Sequence, residues 1–185
     1  MLRPMSIVIR GAHPHDGPEL REIERLAGDR FREVGLDSVA DDEPVSLAAL
    51  TEYARAGRSW VALNADDRPV GYAVVDVVDG NAHLEQVSVR PDHQGTGIGR
   101  ALIERVRAWA EESGRPAVTL STFATVPWNG PLYAHLGFVA IPEDEIGPEL
   151  RAVRDVETRH GLDPEARICM RLNLRGSGAA RLNPT

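Results

Sequence analysis

Val87-Ser88-Val89-Arg90-Pro91-Asp92-His93-Gln94-Gly95-Thr96-Gly97-Ile98-Gly99-Arg100 marks the point where the chain changes period. Before it, residues alternate and β-branched side chains recur, as strands require. After it, Ile98, Leu102, Val106, Trp109 and Ala110 step along a helix face, with Arg100, Glu104, Arg107 and Glu111 off that stripe. Glycine at 95, 97 and 99 leaves no Cβ between an incoming group and the backbone. A helix N-terminus adds unpaired N–H groups and a partial positive charge of roughly half an electron. Strand, glycine turn and helix in that order predict an anion-binding turn. All 21 basic residues are arginine. A lysine-dependent phosphate loop is therefore excluded, and so is Schiff-base catalysis. The dinucleotide fingerprint G-x-G-x-x-G also fails, because Arg100 takes the place of its third glycine.

Upstream, residues 6–10 read as a strand, and Asp16 as the cap of a helix carrying Leu20, Ile23, Leu26, Ala27, Phe31 and Val34. Residues 37–44 read as an acidic loop and 46–56 as a short helix. Strands are expected over 59–64, 69–78 and 82–89, the last two joined by the hairpin signal Asp79-Gly80. Downstream, the helix from Ile98 ends near Ser113-Gly114. A strand follows over 116–123, then a short helix over 129–136, a strand over 138–141, a helix over 149–160 and a last strand over 166–174. The order predicts one α+β domain over 1–175 with a mixed sheet, and a loose Gly/Ser/Ala-rich tail over 176–185.

Composition narrows the function. The net charge of -7 argues against nucleic-acid binding, which depends on neutralising phosphates. No run approaches the ~20 apolar residues of a membrane span, and the first residues lack the apolar stretch of a secretion signal. A cytoplasmic location is the expectation. The single cysteine, Cys169, lies in an apolar strand and reads as a small buried hydrophobe. His13-Pro14-His15-Asp16 has no further ligand at useful spacing, so no metal site is expected.

Gln94-x-x-Gly97-x-Gly99 resembles the central signature of the GNAT N-acetyltransferase superfamily. The block Val126-Pro127-Trp128-Asn129-Gly130-Pro131-Leu132-Tyr133-Ala134-His135-Leu136-Gly137-Phe138 resembles that family's second motif, an Asn, a Tyr four residues on, then Gly-Phe. The resemblance implies a mostly antiparallel sheet of six to seven strands, flanked by helices and splayed at its central strands. It implies acetyl-CoA as acyl donor, with its pantetheine arm paired to the backbone of Val87 and Val89. Gln94, Gly95, Thr96, Gly97, Ile98, Gly99 and Arg100 would wrap the pyrophosphate, Asn129 would bond the pantetheine amide region, and Tyr133 would stand near the sulfur.

Acetyl transfer to an amine needs a base for the ammonium, a polarised carbonyl and an acid for the thiolate. Tyr133 is the candidate acid and the N–H near Val87 the carbonyl partner. Glu85 is the first candidate base and His83 its rival, because His83, Glu85, Val87 and Val89 share one parity along their strand unless a bulge intervenes. Asp41-Asp42-Glu43 and Glu143-Asp144-Glu145 would attract a small cationic amine, with Trp60, Phe123 and Trp128 as candidate apolar walls. The expected activity is direct attack in a ternary complex, in a monomer or homodimer. A non-catalytic CoA-binding sensor and a protein N-terminal acetyltransferase stand as alternatives.

Overall fold

The computed structural model describes residues 7–174. The expected tail over 176–185 lies outside them, as do residue 175 and residues 1–6. The strands are β1 (Val8–Gly11), β2 (Ser59–Leu63), β3 (Pro69–Val78), β4 (Asn81–Val89), β5 (Ala117–Phe123), β6 (Val139–Ala140) and β7 (Arg167–Asn173). The helices are α1 (Gly17–Gly28), α2 (Asp37–Ala40), α3 (Leu47–Arg55), α4 (Ile98–Glu112), α5 (Gly130–His135) and α6 (Pro148–Arg159). One seven-stranded sheet runs β1-β2-β3-β4-β5-β7-β6. Every neighbouring pair is antiparallel except β4 with β5. No described helix is long and apolar enough to cross a membrane.

The two faces bury different stripes. Ile98, Leu102, Val106 and Ala110 of α4 pack with Tyr133 and Phe138 onto Ala73, Val75, Leu84, Val118 and Leu120. On the other face, Leu20 and Ile23 of α1 and Leu50 of α3 cover Val61, Tyr72 and Val74. Leu150 of α6 covers Val78 and Cys169 further along that face.

Three features depart from the sequence pattern. The stripe from Leu20 to Val34 is not one helix, because α1 ends at Gly28 and a 3-10 segment, Asp29–Val34, carries on. Glycine is a weak helix former, and the chain tightens there. Asp16 makes no side-chain cap; its carboxylate instead accepts from Arg10 and from His13 N–H. The expected acidic loop holds the one-turn helix α2.

The Asp79-Gly80 hairpin forms as predicted, with φ of 49° and 77°, both in the left-handed region a type I′ turn demands. The turn also fastens α6. Asp79 oxygens accept from the N–H of Glu149 at 3.0 Å and of Leu150 at 2.9 Å, and the Glu149 carboxylate accepts the Asp79 N–H. These are cap bonds supplied from a distant strand. A Cβ at Gly147 would fall against the Asp79 carboxylate. Gly147→Ala is therefore expected to remove the cap and cost about 1–2 kcal/mol, read from the urea unfolding midpoint.

Candidate active site

The turn predicted to bind an anion is formed and its donors are free. Gly95 and Gly97 have φ of 73° and 89°, and a Cβ on either would meet open space. Ala101 N–H begins the helical ladder by donating to Gly97 O. The N–H groups from Gly95 through Arg100 donate to no described backbone or side-chain acceptor. Ile98 keeps its side chain in the core, 1% exposed, so only its backbone is offered. Gln94 differs from the others. Its N–H donates to Pro91 O, and its side-chain Nε2 donates to Val89 O at 3.1 Å.

The sheet opens beside this turn. Ladder pairing between β4 and β5 stops at Ala82–Val118 and His83–Thr119. On the β3 side, Arg90 N–H donates to Val70 O, with Ser88 opposite Tyr72 and Gln86 opposite Val74. Antiparallel alternation then turns the backbone groups of Val87 and Val89 away from β3, into the gap. Val89 O is already taken by Gln94, which leaves the Val89 N–H and both polar groups of Val87.

Beyond β5, Asn129 N-caps α5. Its Nδ2 donates to Thr122 Oγ1 at 2.8 Å, while its Oδ1 is buried without a described partner. An orphaned buried amide oxygen is a ready acceptor for an incoming N–H. Tyr133 is 9% exposed and stands edge-on to Phe138, with centroids 5.6 Å apart. Burial pushes its phenol up to about 12. His135 faces solvent, as expected.

The shared parity of His83, Glu85, Val87 and Val89 does not hold. Val74 faces Gln86 and Val75 faces Leu84, so Glu85 is the extra residue of a β-bulge. Leu84, Val87 and Val89 join the α4 face. His83 lies on the other face, beside Thr119. It is 2% exposed, and Nδ1 lies 3.0 Å from Thr119 Oγ1. Burial drives its imidazole down to about 4, so it is neutral in the physiological range.

Glu85 is hemmed in by neighbouring elements, yet 42% of its side chain stays exposed. Burial pushes its carboxyl up to about 7, helped by Asp76, Glu157 and Glu24 and opposed by Arg167. Each neighbouring carboxylate has its own donors. Asp76 takes Tyr53 Oη at 2.7 Å and Arg58 at 2.6 Å, Glu157 takes Arg167 and Ser121, and Glu24 takes Tyr72. Glu85 has only the neutral His83 ring, at 3.9 Å. It is the carboxylate with spare proton-accepting capacity.

Four of the six carboxylates in the loops expected to attract a cation are paired with arginine, while Asp42 and Asp144 have no ion pair among the described residues. Asp41 pairs with Arg32, Glu43 with Arg21, Glu143 with Arg151 and Arg154, and Glu145 with Arg171. Trp60 packs in the α4 core against Trp109 rather than in the crevice. Phe31, unremarked in the sequence as a site residue, joins Phe123 and Trp128 instead. Among the described residues no group of three or more His, Cys, Asp or Glu is placed to hold a metal ion.

Comparison with known proteins settles the family. The model described as "Acetyltransferase (GNAT) family" matches residues 20–138, well over half of the chain. The chain belongs to the GNAT acetyltransferase family. An aminoglycoside N(6')-acetyltransferase type 1 from Stenotrophomonas maltophilia is 34% identical over 82 residues, covering 40% of this chain and 54% of that protein. A ribosomal protein bS18 alanine N-acetyltransferase from Salmonella typhimurium is 37% identical over 76 residues, covering 41% of this chain and 51% of the relative. The chain thus spans about half the length of these curated relatives. The crystal structure of PaiA N-acetyltransferase from Thermoplasma acidophilum in complex with coenzyme A superposes with a TM-score of 0.68 at 17% identity, over 92% of this chain and 100% of that one. The GNAT fold is shared at that distance.

Proposed function

We propose that this chain is an acyl-CoA-dependent N-acetyltransferase that moves an acetyl group from acetyl-CoA to a primary amine of a small molecule, by direct attack in a ternary complex. The observation that carries the reading is the row of amides from Gly95 to Arg100 with no described acceptor, in a turn where a Cβ at Gly95 or Gly97 would meet open space, after a strand whose ladder with β5 has stopped. Acetyl-CoA supplies an activated thioester; the chain supplies position and proton handling. The turn amides hold the pyrophosphate. Val87 and Val89 pair with the pantetheine arm as an added strand, and Asn129 Oδ1 accepts an amide N–H from it.

Glu85 takes the ammonium proton, directly or through water. The amine nitrogen then bonds to the acetyl carbon as the carbon–sulfur bond breaks. The Val87 N–H stabilises charge on the carbonyl oxygen. Tyr133, whose buried phenol is neutral and protonated, gives its proton to the departing thiolate and regains one through water from the acylated nitrogen, which sheds its extra proton to become the amide. With four of the six loop carboxylates paired, Glu85, Asp42 and Asp144 remain to attract a cationic amine.

A thiol-release assay across amines, peptides and aminoglycosides tests the activity, and calorimetry with coenzyme A tests the binding. Tyr133→Phe is expected to lower turnover about 100-fold while coenzyme A affinity stays unchanged. No heat with coenzyme A for the unaltered chain would overturn the reading.

A further inference from the structure

The 3-10 segment Asp29–Val34 buries none of its residues fully, yet two of its side chains reach inward. The Arg30 guanidinium carbon lies 4.0 Å from the centroid of the Trp128 ring. Its Nη1 donates to Gln94 Oε1 at 3.3 Å, and Gln94 Nε2 passes the contact on to Val89 O. Phe31 packs against both Phe123 and Trp128, with 5.8 Å between centroids in each pair. Val89 and Gln94 belong to the end of β4 and the turn after it. Phe123 and Trp128 belong to the end of β5 and the turn after it. The segment therefore bridges two strands past the point where their ladder has stopped.

The chemistry of the bridge is unusual for a packing contact. Among the described residues Arg30 meets Gln94 and Trp128 and no carboxylate. A guanidinium has five N–H donors, of which Gln94 engages one. A cation held over an indole keeps its remaining donors for carbonyl or phosphate oxygens that come within reach. Amide carbonyls recur along a pantetheine arm.

We propose that Asp29–Val34 is a strap that closes the cosubstrate slot on its acceptor side, with Arg30 as the positioning residue that latches it across the pantetheine arm. This rests on the acetyl-CoA reading above. The strap holds the arm against β4 and separates the glycine turn from the crevice that receives the amine.

The test compares two probes on the full chain. Coenzyme A carries the arm; adenosine 3′,5′-diphosphate carries the nucleotide end without it. Arg30→Ala is expected to weaken coenzyme A about tenfold in titration calorimetry and leave the nucleotide unchanged. Arg30→Lys keeps the charge, loses the flat fork, and falls between the two; it serves as the readout if the alanine variant does not fold. Hydrogen exchange of amides 29–34 is expected to slow in the unaltered chain with coenzyme A, but not with the nucleotide. Equal losses for both probes, or no loss for coenzyme A, would overturn the latch. Failure of the unaltered chain to bind either probe would instead remove the acetyl-CoA reading beneath it.

Discussion

Glu85→Gln is expected to lower turnover about 100-fold and to abolish the acidic limb of the pH profile. With its carboxyl pushed up to about 7, Glu85 accepts a proton only above that range, so kcat/KM in the unaltered chain rises as pH increases through about 7. His83 cannot take over, because its imidazole, driven down to about 4 by burial, is too weak a base and is shut in the core. If Glu85→Gln leaves the pH profile unchanged, the base lies elsewhere.

The same substitution has a stability signature of opposite sign. The Glu85 carboxyl is raised in the folded chain above its ordinary value of 4.5. The fold therefore favours the protonated form, and that contribution is complete below about 4.5 and lost as pH rises through about 7. A neutral Gln escapes the loss. Above pH 7 the variant is expected to unfold later than the unaltered chain, by on the order of 1 kcal/mol once solvent screening of the part-open side chain is allowed for. The difference should vanish at about pH 4. Urea unfolding at the two pH values checks it.

Gly130→Ala is expected to be the most damaging single methyl in the chain's second motif. A Cβ there would stand 2.5 Å from Ala124 O, 2.9 Å from Phe123 O and 3.0 Å from Ala124 C. These are backbone atoms at the end of β5, which no rotamer change can clear. Either β5 or α5 must shift, and α5 carries Tyr133 with Asn129 at its cap. The expected cost is about 2–4 kcal/mol, together with loss of coenzyme A binding. Thermal unfolding and calorimetry on one preparation test both parts. Retained binding at full stability would show that the close approach at Gly130 is not required.

Much of this architecture is written locally. The 59–89 meander, its Asp79-Gly80 turn and the stripe of α4 depend on neighbours a few residues apart, and periodicity reports them. The glycine turn is legible for the same reason, since strand, glycines and helix are contiguous. What periodicity does not carry is pairing across the chain. Glu43 meets Arg21 and Glu145 meets Arg171 only after folding, so two apparently free acidic clusters turn out partly paired. Arg30 and Phe31 lie on what reads as the continuation of a helix. Their contacts with Gln94, Phe123 and Trp128 are set by where α1 stops. The bulge at Glu85 does leave a mark, since the apolar positions are Ala82 and Leu84 before it but Val87 and Val89 after it, a switch of parity across the polar pair Glu85-Gln86.

That extra residue gives β4 two frames. Ahead of Glu85 the strand is in phase with its neighbour; behind it, everything is displaced by half a pleat. Removing Glu85 alone would restore the simple zigzag with Leu84, Gln86 and Val87 each still opposite its present partner, so the stretch against the slot would keep its sides and lose only the extra carboxylate. A gapless alignment drawn through this strand would transfer roles to the wrong face.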